Sequence, residues 1–168
     1  MLVLVLAILT GLVMAIAGRM QVTTLWAGRA IAPPGTEQQA PNGLQDAITP
    51  RWQTWLNLGY MVGFLAILIL GSMRRWYLGV GGIAGALLSQ IIIGDTLLPK
   101  AVAPYLRLIA ADLAKREARY NAKGDVLRAG IARDLWGKLQ TLLSHAADIR
   151  LAVPSSTEAR RAIFGQVE

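Results

Sequence analysis

The sequence predicts an all-α membrane protein with three transmembrane helices followed by an amphipathic helical hairpin. Apolar or small residues fill three runs, at about 2–18, 55–73 and 76–98, and charged residues concentrate after residue 99. A helix rises about 1.5 Å per residue, so roughly 17–25 such residues cross the hydrocarbon core. The chain is therefore expected to divide into a three-span region over 1–99 and a basic helical region over 100–168.

The first span begins at Leu2 and is expected to continue towards Trp26, which would lie at the membrane interface. A cleaved signal peptide is the alternative, because Ala15-Ile16-Ala17 matches the small-residue pattern of a cleavage site. No Lys or Arg precedes the apolar run. That absence favours a retained membrane anchor.

The second and third spans form a tight antiparallel hairpin. Pro50 suits the first position of a helix, and Trp52 and Trp55 mark one interface. The Arg-Arg-Trp-Tyr sequence at 74–77 marks the other interface, and Pro99 ends the third span. Three such runs favour membrane spans over buried helices of a soluble protein.

The distribution of basic residues predicts that the N-terminus lies outside and the C-terminus in the cytoplasm. Of 17 Lys and Arg residues, 12 follow residue 99 and three lie in the first loop, which shares that side of the membrane. Basic residues near the spans favour the cytoplasmic side. The two arginines at the second-to-third turn, Arg74 and Arg75, are a competing signal.

The layout of a first span, a long loop and a tight hairpin resembles small bacterial membrane proteins of unknown function, including anthrone-oxygenase-like ones. Those proteins usually carry a fourth apolar span, and the residues after Pro99 contain no such run. We infer no activity from this resemblance. The expected location is the bacterial cytoplasmic membrane, with several passes.

Small residues recur every four positions in each span, which places them on one helix face. Such faces let helices approach closely in lipid. Either the bundle of this chain or a neighbouring subunit or flat pigment would use them. The predicted helix-packing residues are Ala7, Gly11, Ala15, Gly59, Gly63, Gly81, Gly85 and Ser89.

Residues 27–50 are rich in proline and glycine and are predicted to form an irregular loop with a recognition role. After the spans, two amphipathic helices are expected over about 104–123 and 126–150, with a short last helix from a capping box at 155–158.

The second tail helix carries a regular apolar stripe. Its members, the predicted partner-interface residues, are Leu127, Ile131, Leu135, Leu139 and Leu142. The stripe can pack on the other tail helix, lie on the membrane or dock on another subunit. We expect burial against protein, because each large aliphatic side chain left in water forfeits roughly 1.5–3 kcal/mol.

The composition excludes several kinds of site. The chain has no cysteine and one histidine, His145, so thiolate metal sites and multi-histidine sites cannot be built from it alone. The G-x-G-x-x-A match at 79–84 lies within a span, without the strand that a dinucleotide site requires. No cofactor or metal is predicted.

The remaining polar candidates are Ser89, Gln90, Asp95 and His145, with Lys100 as a possible partner for Asp95. They do not form a recognisable catalytic motif.

The first functional hypothesis is therefore a non-catalytic accessory or structural subunit of a larger membrane complex. Its partners would be other membrane subunits and lipids, including anionic headgroups, and not nucleic acid, because acidic residues are interspersed with the basic ones. The second hypothesis is a small membrane enzyme or carrier that acts on a lipophilic substrate.

Overall fold

A computed structural model describes residues 1–32, 42–99 and 101–146, and it is all-helical. The helices are α1 (Leu2–Ile31), α2 (Asn42–Ile48), α3 (Arg51–Ser72), α4 (Trp76–Thr96), α5 (Val102–Ala122) and α6 (Val126–Ala146). The short last helix predicted from 155 onward lies outside the described residues.

Among the described residues, three helices, α1, α3 and α4, are long and apolar enough to cross a membrane. This confirms the predicted number of candidate spans and their approximate positions. The N-terminal end of α3 follows Pro50 directly, in keeping with the preference of proline for helix starts.

The irregular loop predicted over 27–50 is shorter than expected. Helix α1 continues to Ile31, and residues 42–48 form α2. Proline and glycine density suggested a loop, but Leu44, Ala47 and Ile48 have the three- and four-residue spacing of a helix face. Ile48 is fully buried, so tertiary packing stabilises a helix too short to be stable alone.

The described chain forms two compact units, which differ from the predicted division at residue 99. The span unit comprises residues 1–20 and 51–99, and the hairpin unit comprises residues 21–32, 42–50 and 101–146. The first loop thus belongs with the C-terminal helices, because its helix α2 packs with them.

Small residues make the closest contacts between the helices of the span unit. A Cβ atom at Gly11 of α1 would lie 2.7 Å from the carbonyl oxygen of Ala86 and 2.9 Å from the backbone nitrogen of Gln90 in α4. Gly71 and Gly79 meet equally closely where α3 turns into α4. Backbones therefore approach to distances that only glycine permits.

The contact face of α4 differs in part from the four-residue row predicted for it. Its buried residues are Gly79, Gly82, Ala86, Gln90, Ile93 and Gly94. Gly85 and Ser89 lie beside this row and both approach Ala7 of α1. A Cβ at Gly81, in contrast, would meet nothing within 4 Å. A mixture of three- and four-residue steps keeps one face towards a neighbour, whereas a pure four-residue row drifts around the helix by about 40° per step.

The hairpin unit packs α5 against α6 through large aliphatic side chains. Leu106, Ile109 and Leu113 of α5 and Leu135 and Leu139 of α6 are buried. The turn between the helices uses Gly124 at φ 71°, where a residue with a side chain would be strained. Asp125 then caps α6, because its Oδ1 atom accepts a hydrogen bond from the backbone N–H of Arg128 at 3.1 Å.

Candidate functional site

A buried ion pair joins two helices of the span unit. Nη2 of Arg19 donates to the carbonyl oxygen of Gly94 at 2.7 Å and lies 3.3 Å from Oδ1 of Asp95. Arg19 is only 4% exposed, whereas the Asp95 side chain is 32% exposed. A buried guanidinium is tolerated only with such partners, so this pair fixes the end of α4 against α1.

Asp95 therefore has a partner that the sequence reasoning missed. Lys100, the partner suggested from the sequence, lies outside the described residues. The sequence does contain a signal for this ion pair, because Arg19 follows the first apolar run and Asp95 lies at the end of the third. The first and third of three successive spans run in the same direction, so these two ends share one side of the membrane.

The register of α3 against α1 brings two amide side chains to within about one helical turn of this ion pair. A Cβ at Gly63 would be 3.0 Å from Cγ2 of Thr10, and one at Gly59 would be 3.6 Å from Cγ1 of Val13, so α3 runs antiparallel to α1. Continuing that register brings Gln53 to the level of Arg19 on α1 and Asn57 to about one helical turn away from it.

These amides offer buried hydrogen-bond acceptors. Gln53 is 2% exposed, and its Oε1 atom and Oδ1 of Asn57 are buried without a hydrogen-bond partner in the described chain. Together with the carboxylate of Asp95, they can accept hydrogen bonds from water or from the hydroxyl or amine groups of a ligand.

The other polar candidates have structural surroundings. Oγ of Ser89 lies 2.9 Å from the carbonyl oxygen of Ala86 and 3.2 Å from that of Ala7, so its hydroxyl group links α4 to α1. Gln90 is buried on the contact face of α4. The backbone of His145 lies in α6, but its side chain is outside the described residues, so its role as a polar candidate stays a prediction. Among the described residues, no group of three His, Cys, Asp or Glu residues suits a metal ion.

The hairpin unit contains a second candidate site, an open groove of about 780 Å³ between α2 and α6. We call it the α2–α6 groove. Apolar side chains dominate its lining, and one ion pair, Lys138 to Asp134 at 2.9 Å, lies on it. The lining residues are Leu44, Ala47, Val126, Leu127, Gly130, Ile131, Asp134, Leu135 and Lys138.

The predicted apolar stripe of α6 is divided between this groove and the helix contact. Leu135 and Leu139 are buried, Leu142 is half-buried, and Leu127 and Ile131 are 77% and 51% exposed. Residues spaced by four drift by about 40° per step, so Leu127 and Leu139 differ by about 120° around the helix. Within this chain the stripe is therefore not one buried face, and Ala129 and Ala132 complete the face that contacts α5.

Arg116 of α5 shapes the groove by holding α2 in place. Its guanidinium donates to the carbonyl oxygens of Ala47, at 3.0 Å, and Thr49, and its Nε atom donates to Oδ2 of Asp112 at 2.6 Å. A cation is favourable at the C-terminal end of a helix, where the last carbonyl groups have no partner in the helix. The four-residue spacing of Asp112 and Arg116 is typical of an ion pair within one helix, whereas the contact of Arg116 with α2 has no local sequence signal.

Comparison with known proteins gives no further assignment: no family model, curated protein or solved structure matches this chain.

Proposed function

We propose that this chain is a non-catalytic subunit of a larger membrane protein complex. Three spans would hold it in a bacterial cytoplasmic membrane, and its hairpin unit would dock a neighbouring subunit on the cytoplasmic side. The observation that carries the proposal is the α2–α6 groove, where large aliphatic side chains are exposed.

Exposed apolar residues are expected on the helices of the span unit, but on the hairpin unit they favour a covering partner. In α1, α3 and α4 they are expected, because these helices are apolar enough to face lipid. Helices α5 and α6 are not among the candidate spans. Leaving Leu127 and Ile131 in water costs roughly 1.5–3 kcal/mol each at full exposure, which supports the presence of a covering partner.

The small-residue faces give less support for a partner than the sequence suggested. Gly11, Gly63 and Gly82 are each in close contact with a neighbouring helix of this same chain. The case for a neighbouring subunit therefore rests on the groove. An apolar helix from that subunit would suit the apolar lining of the groove, as in helix-in-groove recognition.

A matched pair of variants tests the proposal. Ile131 and Leu108 are both 51% exposed, and only Ile131 lines the groove. We expect Ile131→Asp to abolish co-purification of partner subunits in mild detergent, because a carboxylate would be desolvated in the contact, and Leu108→Asp to retain it. Mass spectrometry of the complexes extracted from native membrane provides the measurement. Purification of the unmodified chain alone, without other chains, would refute the proposal.

The proposed orientation has a separate test. The chain has no cysteine, so a single cysteine can report the side of the membrane. We expect a membrane-impermeant thiol reagent added to intact cells to label Met73→Cys, in the α3–α4 turn, and not Lys123→Cys, in the α5–α6 turn. The reverse labelling pattern would show the opposite orientation.

The buried polar groups of the span unit favour a second candidate function, a small enzyme or carrier for a lipophilic substrate. Asp95 is partly accessible, and the register of α3 against α1 brings the buried acceptors of Gln53 and Asn57 to within about one helical turn of the ion pair. In that case Asp95→Asn and Gln53→Leu would abolish conversion or uptake of the compound in reconstituted vesicles. Unchanged activity in both variants, and in His145→Ala, would exclude this candidate.

A further inference from the structure

The positive charge of the α5–α6 hairpin is concentrated on one face. Residues 101–146 contain four carboxylates, and each forms an ion pair within 4.0 Å: Asp112 with Arg116, Glu117 with Arg133, Asp125 with Arg128, and Asp134 with Lys138. The basic residues of α6 are thus all neutralised by acidic residues of the same hairpin.

The four remaining basic residues lie on α5 or immediately after it. Arg107, Lys115, Arg119 and Lys123 are exposed, and none has a carboxylate within ion-pair distance in the part of the chain that the structure describes. At 100° per residue, the first three span about 120° of the helix surface, on the side away from its buried residues. We call this surface the α5 basic face.

An exposed leucine lies within this face. Leu108 is 51% exposed, and its position on the helix falls between those of Arg107 and Arg119. A helix face that combines basic residues with an exposed aliphatic side chain suits the headgroup region of a bilayer, where the cations meet phosphate and the leucine enters the acyl boundary.

The α5 basic face also follows a candidate span closely in the sequence. Helix α4 ends at Thr96 and α5 begins at Val102, so Arg107 follows a candidate span by 11 residues. Even a fully extended segment of that length reaches only about 40 Å. The negative surface of a bilayer attracts such juxtamembrane cations.

We propose that the α5 basic face binds an anionic phospholipid surface, while the α2–α6 groove is left free for protein. The charge pattern favours this assignment, because lipid attraction requires uncompensated cations and those of α6 are already paired. This inference does not depend on the proposed subunit role, since lipid binding by α5 requires no partner protein.

The cysteine-free chain allows a direct test in the intact protein. Leu108→Cys carries an environment-sensitive fluorophore, and the full chain is reconstituted in nanodiscs of phosphatidylcholine, with or without phosphatidylglycerol. We expect the label to become shielded from a water-soluble quencher only in the anionic discs. The shielding should disappear at about 1 M ionic strength, where the Debye length falls to about 3 Å.

Two triple variants with the same charge change provide the control. The first is Arg107→Gln, Lys115→Gln, Arg119→Gln, and the second is Arg128→Gln, Arg133→Gln, Lys138→Gln. The first should shift the docking equilibrium by roughly a hundredfold, about fivefold for each cation, and the second should leave the label shielded. Circular dichroism should show unchanged helicity in both.

Three outcomes would overturn the proposal. Equal shielding in both kinds of nanodisc would mean that lipid charge is irrelevant. Equal loss of shielding in the two triple variants would mean that total charge, and not the α5 basic face, determines docking. Shielding that appears only after an acidic protein partner is added would assign the face to protein. A label at Leu127→Cys, in the groove, should respond to neither lipid nor salt.

Discussion

The span unit and the hairpin unit differ in the side chains that make the contacts between their helices. In the span unit, small residues such as Gly11 and Ala86 make the closest contacts between the helices, with Ile67 buried beside them, and many large aliphatic residues face outwards. In the hairpin unit, Leu106, Ile109 and Leu139 lie between the helices and charged residues face outwards. Burial of apolar area drives the second arrangement in water, whereas lipid removes that driving force and leaves close packing to hold helices together.

The comparison predicts that the single change with the largest effect on stability removes the hydrogen bonds by which Arg116 joins α5 to α2 in the hairpin unit. Arg116→Met would leave the carboxylate of Asp112, whose side chain is 13% exposed, and two carbonyl groups without their donor. We expect a loss of about 3–5 kcal/mol in the unfolding free energy of this unit. Hydrogen exchange should show α2 unprotected while α3 and α4 keep their protection. Continued protection of α2 would contradict the assigned role of Arg116.

The second prediction uses one residue type at two positions of α6. Leu139 is fully buried, so Leu139→Ala should destabilise the hairpin unit by about 2–5 kcal/mol through lost contacts and a cavity. Leu127 is 77% exposed, so Leu127→Ala in the purified chain should change stability by no more than about 0.5 kcal/mol. Thermal unfolding followed by circular dichroism in detergent provides the measurement. Equal effects at the two positions would show that the stripe is a single buried face.

The third prediction applies the same contrast to the span unit. Gly11→Val would place a side chain against the backbone of Ala86 and Gln90, whereas Gly81→Val would meet open space. Overpacking typically costs about 1–3 kcal/mol, so only the first change should separate α1 from α4. Distances between spin labels on these two helices would detect the separation. If Gly81→Val disturbed the helices equally, the assigned contact face of α4 would be wrong.

The smallest effect is expected for the hydroxyl group of Ser89, which lies 3.2 Å from the carbonyl oxygen of Ala7 on α1. Interhelical hydrogen bonds within membranes contribute on average about 0.6 kcal/mol. Ser89→Ala should therefore lower the stability of the span unit by no more than about that amount in equilibrium unfolding from detergent. A change of several kcal/mol would indicate that Ser89 does more than link two helices.

The sequence predicted the elements of this protein better than their contacts. Apolar run length identifies α1, α3 and α4, because a bilayer sets the length that a span needs. The turn at Gly124 and the cap at Asp125 were also predictable, since their conformational preferences are local. Helix α2 was not predicted, because the spacing of Leu44, Ala47 and Ile48 is a weak signal over seven residues and so short a helix depends on tertiary packing.

The candidate sites were predicted only in part. Asp95 was recognised as a candidate, but its contact with Arg19 joins residues 76 positions apart and depends on how two spans align. The division of the α6 stripe depends on which side of the helix α5 occupies. Periodicity gives the direction of a side chain around its own helix axis, but not the direction of the neighbouring helix.

The contacts of Arg116 also impose an order on folding during synthesis. Its two carbonyl acceptors on the segment ending α2 precede it by 69 and 67 residues, with both α3 and α4 in between. At about 5–20 residues per second, the ribosome needs several seconds to cover that interval. Helix α2 therefore lacks its contact with Arg116 until both candidate spans, α3 and α4, have been synthesised. It can take its final position only after α5 emerges.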